Sequence, residues 1–228
     1  MTKTAFVAGA VVLAVTLSGC GSSGEKNAAS SSPSTSSSAT PTSAAPSSTA
    51  QASGPNQTVA EYLQESGITQ TLVKRGDAGT PRLNLPLPTG WADVGADTPQ
   101  DAWGAIYLES AAESDNPPAI IARMARLTGG EVDQAKILEL APNAVRNQPG
   151  YEGPEVGQPV KLGGFDATEI SGTVVQDGQQ VFVTRRTVVI PGKDAVYLLA
   201  LDAQAPMDQQ DALVQAMSEI DSGTAIEP

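Results

Sequence analysis

Four aromatic side chains, Trp91, Trp103, Tyr107 and Tyr197, are the residues best suited to recognition chemistry, because a flat apolar face carrying one polar atom can stack on a sugar ring or an acyl chain. The same faces serve as core packing, and both roles stay open for each of them. The chain offers few alternatives, with two Trp, four Tyr and three Phe. Carboxylates cluster at Asp93, Asp97 and Asp101 and again at Glu109, Glu113 and Asp115. Neither group has the alternating order and closing glutamate of a calcium loop, so the expectation is a solvated acidic loop. Paired carboxylates about 5 to 9.5 Å apart can hydrolyse a glycosidic bond unaided, yet nothing in the spacing favours that arrangement. Arg185 and Arg186 lie mid-strand, where alternation sends them to opposite faces, one into an outward ion pair and the other towards a pocket or the sheet surface. Arg123 and Arg126 also part to opposite faces, so neither pair forms an anion clamp alone. Histidine is absent, which removes Ser-His-Asp and Cys-His mechanisms and imidazole metal sites. No catalytic residue, no metal and no cofactor is expected.

The one cysteine has a different use. Lys3 supplies a positive start, Ala5 to Leu17 is small and apolar apart from Gly9 and Thr16, and Leu17-Ser18-Gly19-Cys20 fits the bacterial lipobox. Residues 1–19 therefore read as a lipoprotein signal peptide, and Cys20 as the lipid attachment site, carrying a diacylglycerol thioether and an acylated amine. Each buried methylene contributes about 0.8 kcal/mol, so two or three chains hold a protein firmly where one binds marginally. The expected location is the outer face of the cell membrane, in the periplasm or envelope.

Residues 20–53 are almost wholly Ser, Thr, Ala, Pro and Gly, without aromatic or branched aliphatic side chains, and read as a disordered tether. As a flexible chain it reaches about 30 Å. Its Ser and Thr beside Pro33, Pro41 and Pro46 resemble O-glycosylated stalks. The formal net charge is −12, from 13 bases and 25 acids. Lys3, Glu25 and Lys26 precede residue 54, which leaves eleven bases against twenty-four acids, or −13, on residues 54–228. Such a body lacks the clustered cations that phosphate backbones require, so no nucleic-acid partner is expected.

The elements that must position these residues can be read along one domain, 54–228. Thr58 and Glu61 have capping-box spacing before Val59, Tyr62 and Leu63, and Gly67 ends that helix. Strands are expected at 68–74, 82–85, 103–108, 119–127, 156–162, 165–175, 181–190 and 195–201, with Asp177-Gly178 as a two-residue hairpin turn. Asp133 caps a helix carrying Ile137, Leu138 and Leu140, Pro142 kinks it or opens a second one through 145–147, and 207–220 is an amphipathic helix. Adjacent strands with helices at each end indicate an α+β fold with a mainly antiparallel sheet.

Four stretches carry a family resemblance: Gly54-Pro-Asn-Gln-Thr-Val-Ala-Glu-Tyr-Leu, Leu83-Asn-Leu-Pro-Leu-Pro-Thr-Gly-Trp91, Leu162-Gly-Gly-Phe165 and Thr187-Val-Val-Ile-Pro191. The chain resembles the LpqN/LpqT family of mycobacterial lipoproteins over its whole mature length. That resemblance implies a PsbP-like α/β/α sandwich, an antiparallel sheet covered by helices, without catalytic residues. It also implies a part in building the mycolate-containing envelope, through MmpL-type lipid transporters and trehalose glycolipids. The expected function is a non-catalytic binding module or adaptor in glycolipid transport, the alternative being a structural or protein-interaction lipoprotein without a small ligand. No ligand-contacting residue is carried over from the family.

Overall fold

A computed structural model describes residues 54–228; the signal, Cys20 and the tether lie outside the described residues. Local signals account for most elements. Helix α1 (Val59–Glu65) begins where Thr58 Oγ1 accepts the Glu61 amide at 3.3 Å while the Thr58 amide donates to the Glu61 carboxylate at 2.7 Å, which satisfies two free helix donors reciprocally. Gly67, at φ +67°, stops it and turns the chain into β1 (Ile68–Val73). Two short strands, β2 (Arg82–Asn84) and β3 (Trp91–Asp93), precede β4 (Gly104–Leu108) and β5 (Ala119–Gly129). Asp133 accepts the Lys136 amide at 3.0 Å and opens α2 (Gln134–Leu140), and Pro142 opens α3 (Asn143–Arg146). A meander follows: β6 (Gln158–Leu162), β7 (Phe165–Gln176), β8 (Gln179–Pro191) and β9 (Val196–Pro206). Asp177 and Gly178 both adopt positive φ, 51° and 77°, the twist that a two-residue hairpin between β7 and β8 demands. Helix α4 (Gln210–Gly223) and a last strand, β10 (Ala225–Glu227), complete the chain.

The main sheet has the order β3-β4-β5-β9-β8-β7-β6, every pair antiparallel, with β1 joining β5 beyond β4; β2 and β10 form a separate ribbon. On one face, Met124, Val188, Leu199 and Leu201 are buried against Leu213, Ala216, Met217 and Ile220 of α4. On the other, Val59 and Leu63 of α1 and Ile137 and Leu140 of α2 cover Leu127, Val189 and Leu198, and Val145 of α3 packs with Ile170, Val174 and Val183. The result is a helix–sheet–helix sandwich around an antiparallel sheet, the α+β class expected. Several bounds shift. The strand expected from Trp103 starts at Gly104 and that expected from residue 156 starts at Gln158, the second helix opened by Pro142 ends at Arg146 rather than Asn147, β9 continues past Leu201 to Pro206, and the last helix spans Gln210–Gly223 rather than 207–220. Strands β3 and β10 had no expectation, because neither is part of a longer alternating run such as Leu83-x-Leu85 beside β2.

Candidate functional site

A largely apolar cleft is built around a segment without helix or ladder of its own. After β2, Leu85-Pro-Leu-Pro88 stays extended, since two prolines withhold amides and bar the helical region to the residues before them. β10 zips this strap to the body through the pairs Leu83 with Ile226 and Asn84 with Ala225. Further along, the Thr89 amide donates to Glu219 of α4 at 2.9 Å. Pro86 passes so near α4 that a Cβ on Gly223 would lie 2.9 Å from it.

Between strap, α4 and sheet lies a cleft of about 350 Å³, lined by Leu83, Leu85, Leu87, Ile106 and Ile220, with Trp103 and Arg75 also on its wall. The Arg75 guanidinium sits 4.6 Å from the centre of the Trp103 ring and pairs with Asp93 at 3.2 Å. It lies close over Gly104, where a Cβ would come 2.5 Å from Arg75 Nη2 and push the guanidinium aside. An apolar trough with one charged, hydrogen-bonding corner suits a ligand that has an acyl chain and a polar head.

Of the four aromatic candidates, Trp103 alone lines this cleft. Trp91 is 5% exposed and packs in the core from β3, where it pairs with Leu108. Tyr107 points from β4 to the opposite face from Ile106 and is half-buried. Tyr197 is buried, and its hydroxyl donates to the Gly79 carbonyl at 2.9 Å, fastening the loop between β1 and β2. The structure thus separates the four. Sequence reasoning missed Arg75 and the leucines of the strap; the signal present was Leu83-x-Leu85-x-Leu87, which puts three apolar side chains on one side of an extended chain.

Of the six loop carboxylates, Asp93, Asp97, Glu109, Glu113 and Asp115 are exposed as expected, and Asp101 is half-buried. Asp93 is bound to Arg75, and Asp101 accepts from Arg123 Nε at 2.8 Å, a hydrogen bond that holds its carboxyl below the usual 3.8. The arginine expectation also needs correction. Arg185 and Arg186 do face opposite ways, but β8 is an interior strand, so neither is an edge residue. Arg186 is 4% exposed and bridges Glu169 of β7 to Asp221 of α4. Arg185 donates to Asp202 at 2.7 Å, and Arg123 reaches the other oxygen of that carboxylate at 3.0 Å. The pairing that matters runs across strands, between residues 123 and 185. Among the described residues no group of three or more His, Cys, Asp or Glu could hold a metal ion, and no helix is long and apolar enough to cross a membrane.

Comparison with known proteins bears on the same span. The sequence model of the family Lpp-LpqN, "Probable lipoprotein LpqN", matches residues 55–227. The chain belongs to the Lpp-LpqN family. Lipoprotein LpqN of Mycobacterium tuberculosis (strain ATCC 25618 / H37Rv) is 38% identical over 178 residues, which are 78% of this chain and 77% of that protein. The crystal structure of M. tuberculosis LpqN, described as involved in cell envelope biogenesis, superposes with a TM-score of 0.73 at 38% identity, covering 77% of this chain and 100% of that one. The solution structure of PsbP from Synechocystis sp. PCC 6803 is 12% identical with a TM-score of 0.38, over 71% of this chain and 93% of that one. The stretches that carried the resemblance fall at structural joints of this Lpp-LpqN domain: Leu83 to Trp91 makes the strap and β3, and Leu162-Gly-Gly-Phe165 turns β6 into β7.

Proposed function

We propose that this Lpp-LpqN protein is an exported envelope lipoprotein, anchored to the outer face of the cell membrane by acyl chains on Cys20, that binds a glycolipid without transforming it. The strap cleft is the proposed site: Leu83, Leu85, Leu87 and Ile220 take the acyl chain, while Trp103, Arg75 and Asp93 meet the polar head. The observation that carries this reading is the apolar cleft itself, with a stacked Arg75–Trp103 pair and an ion-paired carboxylate on its wall. The description of the M. tuberculosis relative as involved in cell envelope biogenesis supports an envelope role. The family resemblance supports trehalose glycolipids as ligands and MmpL-type transporters as the partners they are exchanged with. Trp91, Tyr107 and Tyr197 then act through the scaffold rather than by touching ligand.

Trehalose monoesters titrated into the protein should change the emission of Trp103. In Trp103→Phe that response should disappear, and Ala122→Phe, which fills the floor of the cleft, should weaken binding by about tenfold or more. Saturating monoester that moves neither the fluorescence nor the melting temperature would end the glycolipid reading and leave an adaptor that holds proteins alone.

A further inference from the structure

The opposite face of the sheet carries a groove of contrary chemistry. It lies over β5, β9 and β8, has a volume of about 570 Å³, and is walled by Ala144, Val145 and Gln148 from α3 and the residues after it. A much smaller pocket of about 30 Å³ shares Arg123 and Arg185 with it and adjoins Gln70 and Leu72 of β1. The sheet separates it from the strap cleft, and the two have no lining residue in common.

Its floor is a closed set of charges. Arg123 donates to Asp101 and Asp202, and Arg185 donates to the second oxygen of Asp202. Two cations and two anions leave no net charge, so a phosphate or carboxylate finds no unpaired guanidinium, and a metal ion finds no unpaired carboxylate. Hydrogen-bonding capacity nevertheless remains. A guanidinium has five N–H donors, of which Arg185 uses one to a side chain here. Gln70, Gln148, Gln176 and Gln204 surround the floor with neutral groups that both donate and accept. Between them Ile121 and Val183 supply apolar patches.

We propose that this groove binds a neutral oligosaccharide chain. Each sugar ring presents hydroxyls that need donors and acceptors together, and C–H faces that need small apolar patches, and the lining of the groove supplies both. A peptide fits less well, because the floor is a sheet face whose backbone groups are already paired, not a free edge that could add a strand. The net charge of −13 on residues 54–228 further disfavours acidic polymers.

The test uses the full chain, with maltohexaose, cellohexaose and mannohexaose as probes and hexagalacturonate and a Gly-Ser peptide as controls, followed by NMR and calorimetry. At least one neutral hexasaccharide should bind and shift the side-chain amides of Gln148 and Gln204, with Trp103 emission unchanged and no competition from a trehalose monoester. The double variant Gln148→Ala, Gln204→Ala should weaken that binding about tenfold at an unaltered melting temperature. The proposal is overturned if no neutral hexasaccharide binds at about 10 mM, if hexagalacturonate or the peptide binds more tightly, if a monoester displaces the saccharide, or if the double variant binds as well as the native chain. Loss of glycolipid binding at the strap cleft would leave this result untouched, so the two readings fail separately.

Discussion

Arg186 holds two carboxylates that belong to different layers, Glu169 in the sheet and Asp221 in α4, from a position that water barely reaches. Removing it leaves two partly exposed carboxylates that water can still reach, without their charged donor. Arg186→Met should therefore lower the unfolding free energy by about 1 to 3 kcal/mol in urea titrations, the scale of lost hydrogen bonds to charged groups. Because Asp221 adjoins Ile220 of the strap cleft, the same variant should also loosen that wall. Asp101 gives a smaller, pH-dependent effect. Its carboxyl titrates below its ordinary 3.8 in the folded protein, chiefly through the hydrogen bond from Arg123, so its contribution is complete above that value and is lost as pH falls through the lower folded value. The stability gap between the native chain and Asp101→Asn should be constant from pH 7 to about 4 and shrink below it, as read from denaturant midpoints. Alternation along a strand was enough to part Arg185 from Arg186. It could not show that Asp202 would seat Arg123 beside Arg185, because that depends on the register of β5 against β9 and β9 against β8, set by the packing of the whole sheet.

Elements with local signals were legible. The capping box of α1, the Asp133 cap, the Asp177-Gly178 turn and the stripe Leu213, Met217, Ile220 each fix their own geometry within a few residues. Thr58→Ala should cost about 1 kcal/mol, since the hydroxyl that accepts the Glu61 amide is lost while the residue-58 amide can still donate to the Glu61 carboxylate; thermal denaturation measures this directly. β3 and β10 were illegible for the converse reason. Each is three residues long and is a strand only because a distant partner makes it one. Ile226 of β10 is 8% exposed and presses on the Leu162–Phe165 turn, where Gly163 at φ +56° leaves it room. Ile226→Ala should destabilise by about 2 to 5 kcal/mol. It should also free the strap, which limited trypsin digestion would report as faster cleavage after Arg82. An unchanged cleavage rate would show that the glutamate and proline contacts of the strap hold it without β10.

At the scale of the molecule, charge and fold point the same way. Residues 54–228 contain no cysteine, and this antiparallel body carries the acidity of the whole chain. Without acyl chains, residues 54–228 should not sediment with anionic vesicles at low ionic strength, and adding salt should not reduce binding that was never electrostatic. Cosedimentation that appears at low salt and vanishes at high salt would locate a cationic patch that overrides the net charge. The fold class, the layers and the candidate Trp103 were thus readable from sequence; the two depressions were not, because each is made where segments far apart in the chain meet.

The ribbon of β2 and β10 closes over a sequence separation of 145 residues, between Arg82 and Glu227. Loop-closure entropy opposes so distant a contact, and only six residues of ladder reward it. The ribbon should form after the meander has condensed, and it should be the first part to come undone in the native state. Amide hydrogens of β2 and β10 should then exchange at free energies well below that of global unfolding, while β8 and β9 exchange only with the whole domain. The rest of the sandwich is then the frame, and this ribbon the seam that is sewn last.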